Sequence, residues 1–286
     1  MERIIGFVGL GVMGKSMARH LLKKYKKIYV YTRTKNKALD LLDEGAIWCD
    51  SVSDIASKSD IIFTIVGFPE DVEDIYFSAS ALIASSRPGQ IFIDMTTTSP
   101  SQEKRIYDAL KKKGASFLDC PVSGGDKGAR EGILTAMAGG DEEVLAEAES
   151  YLSCFCQRIN YCGKAGMGQT MKGANQILIS GIMTAMEDAF NFARKSGLDL
   201  SLMLSALSAG AAGSWSLSNY GPRIINGDFE PGFMIKHFVK DLKIAEEEAE
   251  KLSLKLDTVA LARKKYEALM QKGYADKGTQ TICKEV

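Results

Sequence analysis

Apolar positions recur along this chain in two rhythms. The first half alternates short apolar runs with segments of helical period, and the second half keeps the helical period alone. Residues 3–8, 28–31, 60–66, 90–94 and 115–119 have the length and apolarity of strands buried on both faces of a parallel sheet. Residues 132–140 read as a further strand. Between the runs, helical spacing marks residues 15–24 and 101–113, the second with Pro100 suited to its first turn. Residues 141–156 read as an amphipathic helix with Cys154-Phe155-Cys156 as its apolar end. From residue 166 strands give out. Helices are expected over 166–195, 201–209, 215–226, 236–252 and 255–272, with a loop at 227–233 and a short C-terminal piece. The predicted class is α/β, with an N-terminal domain over 1–165 joined by a long helix to an all-α domain over 166–286.

The segment 166–195 contains no proline and would span roughly 45 Å as one helix. Ala174, Ile177, Leu178, Ile182, Met186, Phe190 and Phe192 put apolar or small residues on nearly every face, which predicts a helix buried all round. Lys172 is the exception, because a lysine is costly to bury without a partner or a task. Asn175, three residues on, shares its face. Either Lys172 faces a site between the two domains, or it is a surface lysine of an ordinary first turn.

The first strand runs at once into Gly9-Leu10-Gly11-Val12-Met13-Gly14 and then a helix. Strand, GxGxxG and helix together mark a Rossmann-like dinucleotide site. Gly9 allows the tight turn, Gly11 lets a pyrophosphate approach the backbone, and Gly14 lets helix and strand pack closely. The helix N-terminus then faces the phosphates. After the second strand an NAD site ordinarily carries an acid for the adenosine ribose. Here Thr32-Arg33-Thr34-Lys35-Asn36-Lys37 replaces it, and Arg33, Thr34 and Lys37 are the candidate cofactor contacts. A guanidinium stacks on adenine and pairs with a 2′-phosphate, so NADP(H) is favoured over NAD(H). The competing reading is a solvated basic turn.

Later strand ends hold the remaining chemistry. Val66 and Gly67 open a loop beside the expected cofactor position. Thr96, Thr97, Thr98 and Ser99 follow a strand, either at the ligand-binding edge or as simple helix caps. Cys120-Pro121-Val122-Ser123-Gly124-Gly125 offers backbone N–H groups and a hydroxyl to a carboxylate, or is only a turn. Lys240-Asp241 lies on an apolar helix face, as a solvated pair or as a contributor to the site.

Composition excludes more than it selects. Hydrophobic residues are 45% and charged residues 25% of 286, the balance of a globular protein. Lys+Arg and Asp+Glu both number 36, with no basic stripe, so neither nucleic acid nor membrane is indicated as a partner. Glu2 and Arg3 precede only a short apolar strand, so no signal peptide is expected. The six cysteines are scattered and there are two histidines, so no metal site is expected and reduced thiols in the cytoplasm are the simplest account.

Four motifs in order carry a family resemblance over nearly the whole chain. They are Gly9 to Gly14 with Met17-Ala18, Asp119 to Gly125, Gly166-Met167-Gly168-Gln169 with Lys172 and Asn175-Gln176, and Lys240-Asp241-Leu242. Together they resemble the β-hydroxyacid dehydrogenase family, which includes 3-hydroxyisobutyrate dehydrogenases, tartronate semialdehyde reductases and glyoxylate/succinic semialdehyde reductases. The resemblance implies that Lys172 is the catalytic acid/base and that Asn175 orients the substrate. It implies that Ser123, Gly124 and Gly125 hold the substrate carboxylate. Thr97 and Lys240 match positions near the nicotinamide, and Lys240 also counts as a substrate contact. Some members carry Asn-Asn where this chain has Asn175-Gln176. The imine reductases, a sister group, lack the lysine. The implied reaction interconverts a small 3-hydroxy or 2-hydroxy acid and its semialdehyde or oxo acid, in a homodimer or homotetramer, with Trp215 and Phe233 as candidates for the outer pocket. The competing functions are a decarboxylating enzyme of the 6-phosphogluconate type and an NADP(H)-binding regulatory or scaffolding protein without turnover.

Overall fold

The computed structural model describes residues 3–284, so Glu2 lies outside it. Two compact units divide the chain, one ending at Lys172 and the other beginning at Gly173.

The first unit is built on one sheet. Its strands are β1 (Ile5–Val8), β2 (Ile28–Tyr31), β3 (Ile47–Trp48), β4 (Ile61–Thr64), β5 (Ile91–Asp94), β6 (Ser116–Asp119), β7 (Val122–Ser123), β8 (Leu134–Gly140) and β9 (Cys156–Gly163). They lie in the order β3-β2-β1-β4-β5-β6-β8-β7, with β9 also paired to β8. The run from β3 to β6 is parallel throughout, and β8 turns antiparallel against β6 and β7. This is the doubly wound order, in which ligands bind beyond the carboxyl ends of the strands. Helices α1 (Val12–Tyr25), α2 (Leu39–Asp43), α3 (Val52–Lys58), α4 (Pro69–Phe77), α5 (Leu82–Ser85), α6 (Pro100–Lys112), α7 (Gly125–Glu131) and α8 (Glu142–Leu152) connect the strands.

Wholly buried strands explain why the pattern reads as continuous apolar runs. Ile61, Phe63, Ile91 and Ile93 enter one core with Met17 and Leu21 of α1. Their neighbours Ile62 and Phe92 enter a second core with Ile55, Tyr76 and Ile106. The register places Val8, Thr64, Asp94 and Asp119 in one row at the strands' ends.

Two readings of the pattern need correction. The helix expected over 141–156 stops at Leu152. Cys154 and Phe155 form a turn, and Cys156 opens β9. Apart from its first residue, β9 shows no fully buried position, so it carries no apolar run for the sequence to reveal. The elements β3, α2, α3, α5, α7 and β7, each seven residues or fewer, also went unpredicted, as did the nine-residue α4.

The second unit is helical. It holds most of α9 (Met167–Lys195), then α10 (Leu200–Ser208), α11 (Trp215–Ile225), α12 (Ile235–Lys251) and α13 (Asp257–Gln271), and closes on a 3-10 turn over Thr279–Cys283. Its core gathers Met183, Phe190, Phe238, Leu242 and Tyr266. The expectation that α9 is buried all round is wrong. Met171, Leu178 and Phe192 are exposed, the last two by 69% and 75%. Its buried positions are polar at Gln169, Lys172, Gln176, Ser180 and Thr184 and apolar at Met183, Met186, Phe190 and Ala193. Residue counts around the helix did not reveal which face the fold covers.

Candidate active site

The first glycine turn is set by close approach. Gly9 has φ +98°, and a Cβ there would lie 2.0 Å from the Ile65 carbonyl oxygen. A Cβ on Gly14 would lie 2.0 Å from the Gly9 carbonyl oxygen, so both positions admit glycine alone. Gly11 is different, because a Cβ there would touch nothing within 4 Å. It stands at the head of α1, which no side chain caps, and so leaves room and N–H donors for a pyrophosphate. Leu10 is buried in the core, while Val12 is exposed and Met13 packs at the core's edge. The residues present fit a dinucleotide.

At the end of β2, the Arg33 side chain is 83% exposed and its guanidinium donates to Asp71 Oδ1 at 2.9 Å. Asp71 also accepts from the Phe68 N–H at the start of α4. Thr34 and Lys37 flank it, exposed, at the head and tail of a 3-10 turn.

The strand ends form a connected polar row. Thr64 and Thr96 both donate to Asp94 Oδ1, at 2.6 and 2.8 Å. Thr96 in turn accepts from the Val66 N–H. Gly67 and Thr97, next along, are half-buried. Of the hydroxyls after β5, Ser99 alone caps α6, by accepting from the Gln102 N–H, so the simple-cap reading fails for the threonines. Glu103 on α6 is fully buried with neither oxygen hydrogen-bonded to a donor, and burial pushes its carboxyl well above the ordinary range. Burial raises the carboxyl of Asp94 beside it as well.

Asp119, at the end of β6, accepts the Gly166 N–H at 2.7 Å and the Gln169 N–H at 2.9 Å. Burial raises its carboxyl to about 6 against those hydrogen bonds. The Gln169 amide donates to the Thr96 carbonyl at 2.7 Å and accepts from the Thr98 N–H at 3.2 Å.

Lys172 is not a surface lysine. It is 7% exposed, and Nζ donates to the Val122 carbonyl at 3.0 Å. Ser123 follows in β7, paired to Thr135 of β8, and Gly124 and Gly125 open α7. The amine and the carboxylate-loop candidates are therefore neighbours within the first unit.

The second unit brings together another set. Asn175 donates to Gln176 Oε1 at 2.7 Å, and Gln176 donates to Asp241 Oδ2 at 2.6 Å. Lys240 pairs with Asp241 Oδ1 at 3.0 Å. With side chains 12% and 2% exposed, this is no solvated pair. Trp215 is exposed and meets Tyr220 edge-on, whereas Phe233 packs on Phe238. Asp94 and Glu103 were not singled out in the sequence, Gln169 stood there only within a motif, and Asp241 as half of a solvated pair or a contributor to the site. Glu103 was findable, since it shares α6's buried face with Ile106 and Leu110.

Residues 4–163 match the model of the NAD-binding domain of 6-phosphogluconate dehydrogenase. Residues 166–286 match the NAD-binding model of NADP-dependent 3-hydroxyisobutyrate dehydrogenase. An uncharacterized oxidoreductase of Bacillus subtilis, YkwC, is 47% identical over 99% of both chains. The 2-hydroxy-3-oxopropionate reductase of Escherichia coli is 36% identical over 94% of this chain and 92% of its own. The solved structure of Psf3 in complex with NADP+ and 2-OPP matches with a TM-score of 0.90, at 26% identity over 98% of this chain and 99% of that one. Fold and glycine turn define a nicotinamide-dependent oxidoreductase, and the chain belongs to the β-hydroxyacid dehydrogenase family.

Proposed function

We propose that the protein is an NADP(H)-dependent reductase of a small semialdehyde or oxo acid, working through Lys172 as acid/base. The observation that carries this reading is the buried Lys172 amine bonded to Val122, one residue before the Ser123-Gly124-Gly125 loop. In this reading the Ser123 hydroxyl and the Gly124 and Gly125 N–H groups hold the substrate carboxylate. The bound nicotinamide supplies the hydride. Lys172 as ammonium stabilises the charge that develops on the carbonyl oxygen and then transfers its proton there. In the reverse direction the neutral amine takes the hydroxyl proton. Asn175, one helical turn along α9, orients the substrate, and its tie through Gln176 to Asp241 supports that role. Lys240, paired to Asp241, is assigned to the nicotinamide end and the substrate by motif order. Val66, Gly67 and Thr97 are assigned to the cofactor by their place beyond β4 and β5, and Arg33, Thr34 and Lys37 to the adenosine 2′-phosphate.

Candidate substrates are glyoxylate, succinic semialdehyde, tartronate semialdehyde and methylmalonate semialdehyde. The similar Escherichia coli enzyme, named for 2-hydroxy-3-oxopropionate, favours the last two, which share its 3-oxopropionate backbone. The second family model favours this reading over a 6-phosphogluconate enzyme. All six cysteines are free thiols, which supports a reducing compartment, the cytoplasm. Oxidation of NADPH in the presence of each candidate tests the reading. Lys172→Ala is expected to bind NADPH and to lose turnover by on the order of 10³-fold. Turnover near wild type in that variant, or no substrate among these acids, removes the assignment.

A further inference from the structure

We infer that Gln169 and Asp119 are positioning residues for Lys172, fixing the head of α9 to the two strand ends between which the amine must act. The inference rests on the acid/base role proposed for Lys172.

The first observation is the hydrogen bonding. A helix leaves its first N–H groups without internal partners. In α9 the carboxylate of Asp119 takes the N–H groups of Gly166 and Gln169, one on each oxygen. The cap therefore comes from a distant strand, not from the preceding residue, and it places a negative charge where the helix end attracts one. Gln169 grips the segment after β5 on both sides of Thr97, by donating to the Thr96 carbonyl and accepting from the Thr98 N–H. Three residues on, Lys172 reaches Val122, which Asp119 precedes by three positions. One turn of helix thus holds the Thr97 segment, the Ser123 loop and the amine in a single frame.

Packing gives a second, independent observation. A Cβ on Gly168 would lie 2.4 Å from the Met137 carbonyl oxygen and 2.5 Å from that of Asp119. A Cβ on Gly139 would lie 2.6 Å from Asp119 Oδ1 and 2.7 Å from the Gly168 N. Two glycines, one on β8 and one on α9, let the helix end sit directly on the sheet around the carboxylate. A loosely placed helix would need neither. Burial of the Gln169 side chain, with both ends of its amide bonded, completes the clamp.

The experiment compares Gln169→Ala, Gln169→Glu, Asp119→Asn and Lys172→Ala in the full-length protein, with tartronate semialdehyde and methylmalonate semialdehyde as probes. Two readouts are taken. One is kcat and KM beside NADPH affinity from quenching of protein fluorescence. The other, which requires no turnover, is the rate of Lys172 acetylation by acetic anhydride across pH, read by peptide mass spectrometry. Gln169→Ala is expected to lose about 10²-fold in kcat, the scale of a displacement near 1 Å, with NADPH affinity little changed. Its acetylation profile should shift from that of the wild type. Gln169→Glu keeps the acceptor for Thr98 but sets a carboxyl oxygen against the Thr96 carbonyl, so its loss should be at least as large, and its near-native size separates lost bonding from a cavity. Asp119→Asn keeps one acceptor oxygen and should be intermediate. Unchanged kcat and acetylation in Gln169→Ala would overturn the inference, as would a loss explained by weaker NADPH binding with acetylation unchanged. Full turnover in Lys172→Ala would instead sink the acid/base reading, while the acetylation comparison still decides the positioning.

Discussion

A carboxylate buried at the head of a helix is held at a cost that pH exposes. Asp119 titrates at about 6 in the fold against an ordinary 3.8, so the folded state holds its proton more tightly than the unfolded chain. Its contribution to stability is full below the ordinary value and is lost as pH rises through 6. The shift corresponds to about 3 kcal/mol. Asp119→Asn removes the titration. Denaturant melts are therefore expected to show the wild type losing stability relative to this variant between about pH 4 and 6. A parallel pair of curves would contradict the assignment. Arg33 is the other residue whose chemistry reads directly. Its guanidinium is exposed and held at one edge by Asp71, which leaves its remaining donors for an anion. Arg33→Asp is expected to move the ratio of kcat/KM values from NADPH toward NADH by at least about tenfold, the effect of roughly 1.4 kcal/mol. An unchanged ratio would mean that Arg33 does not read the 2′-phosphate. The close approach at the glycine turn and the burial of Lys172 were legible because each breaks a local rule: crowded glycines, and a lysine in an apolar segment. Gln169 and Asp241 break none, and only their partners across the fold give them meaning.

Among the elements, long periodic ones were readable and short ones were not. The strands β1, β4 and β5 are buried on both faces, as is β6 beyond Ser116, so each writes an apolar run into the sequence, whereas β2 alternates buried and half-buried residues. The edge strand β9 has exposed or half-buried residues after its first position and leaves no such trace. Helix α9 was found within one residue of its start, yet its faces were misread. Its first turns bury amide, hydroxyl and amine groups because they serve as a hub of hydrogen bonds. On the other side of these turns stand Met171, Ala174 and Leu178, exposed, while Met183, Met186, Phe190 and Ala193 further along enter the core. Hydrogen bonding, not segregation of oil from water, marks the inner face of that part of the helix.

For the whole chain, each unit packs its own apolar residues, and the division between them falls at Lys172, within α9. Met167, Met171, Ala174, Leu178, Ala185 and Phe192 recur at intervals of three, four or seven and form an exposed stripe along α9. A stripe of this kind on the longest helix fits a second copy of the chain better than water. Light scattering after size exclusion is expected to give at least a dimer, and the pair of changes Leu178→Glu and Phe192→Glu to reduce it toward the monomer. A monomeric wild type at micromolar concentration would refute the self-association. If copies do meet there, mass action joins folding to abundance: the midpoint of thermal unfolding should climb as the chain is concentrated, and a cell that makes little of it should keep a smaller share folded.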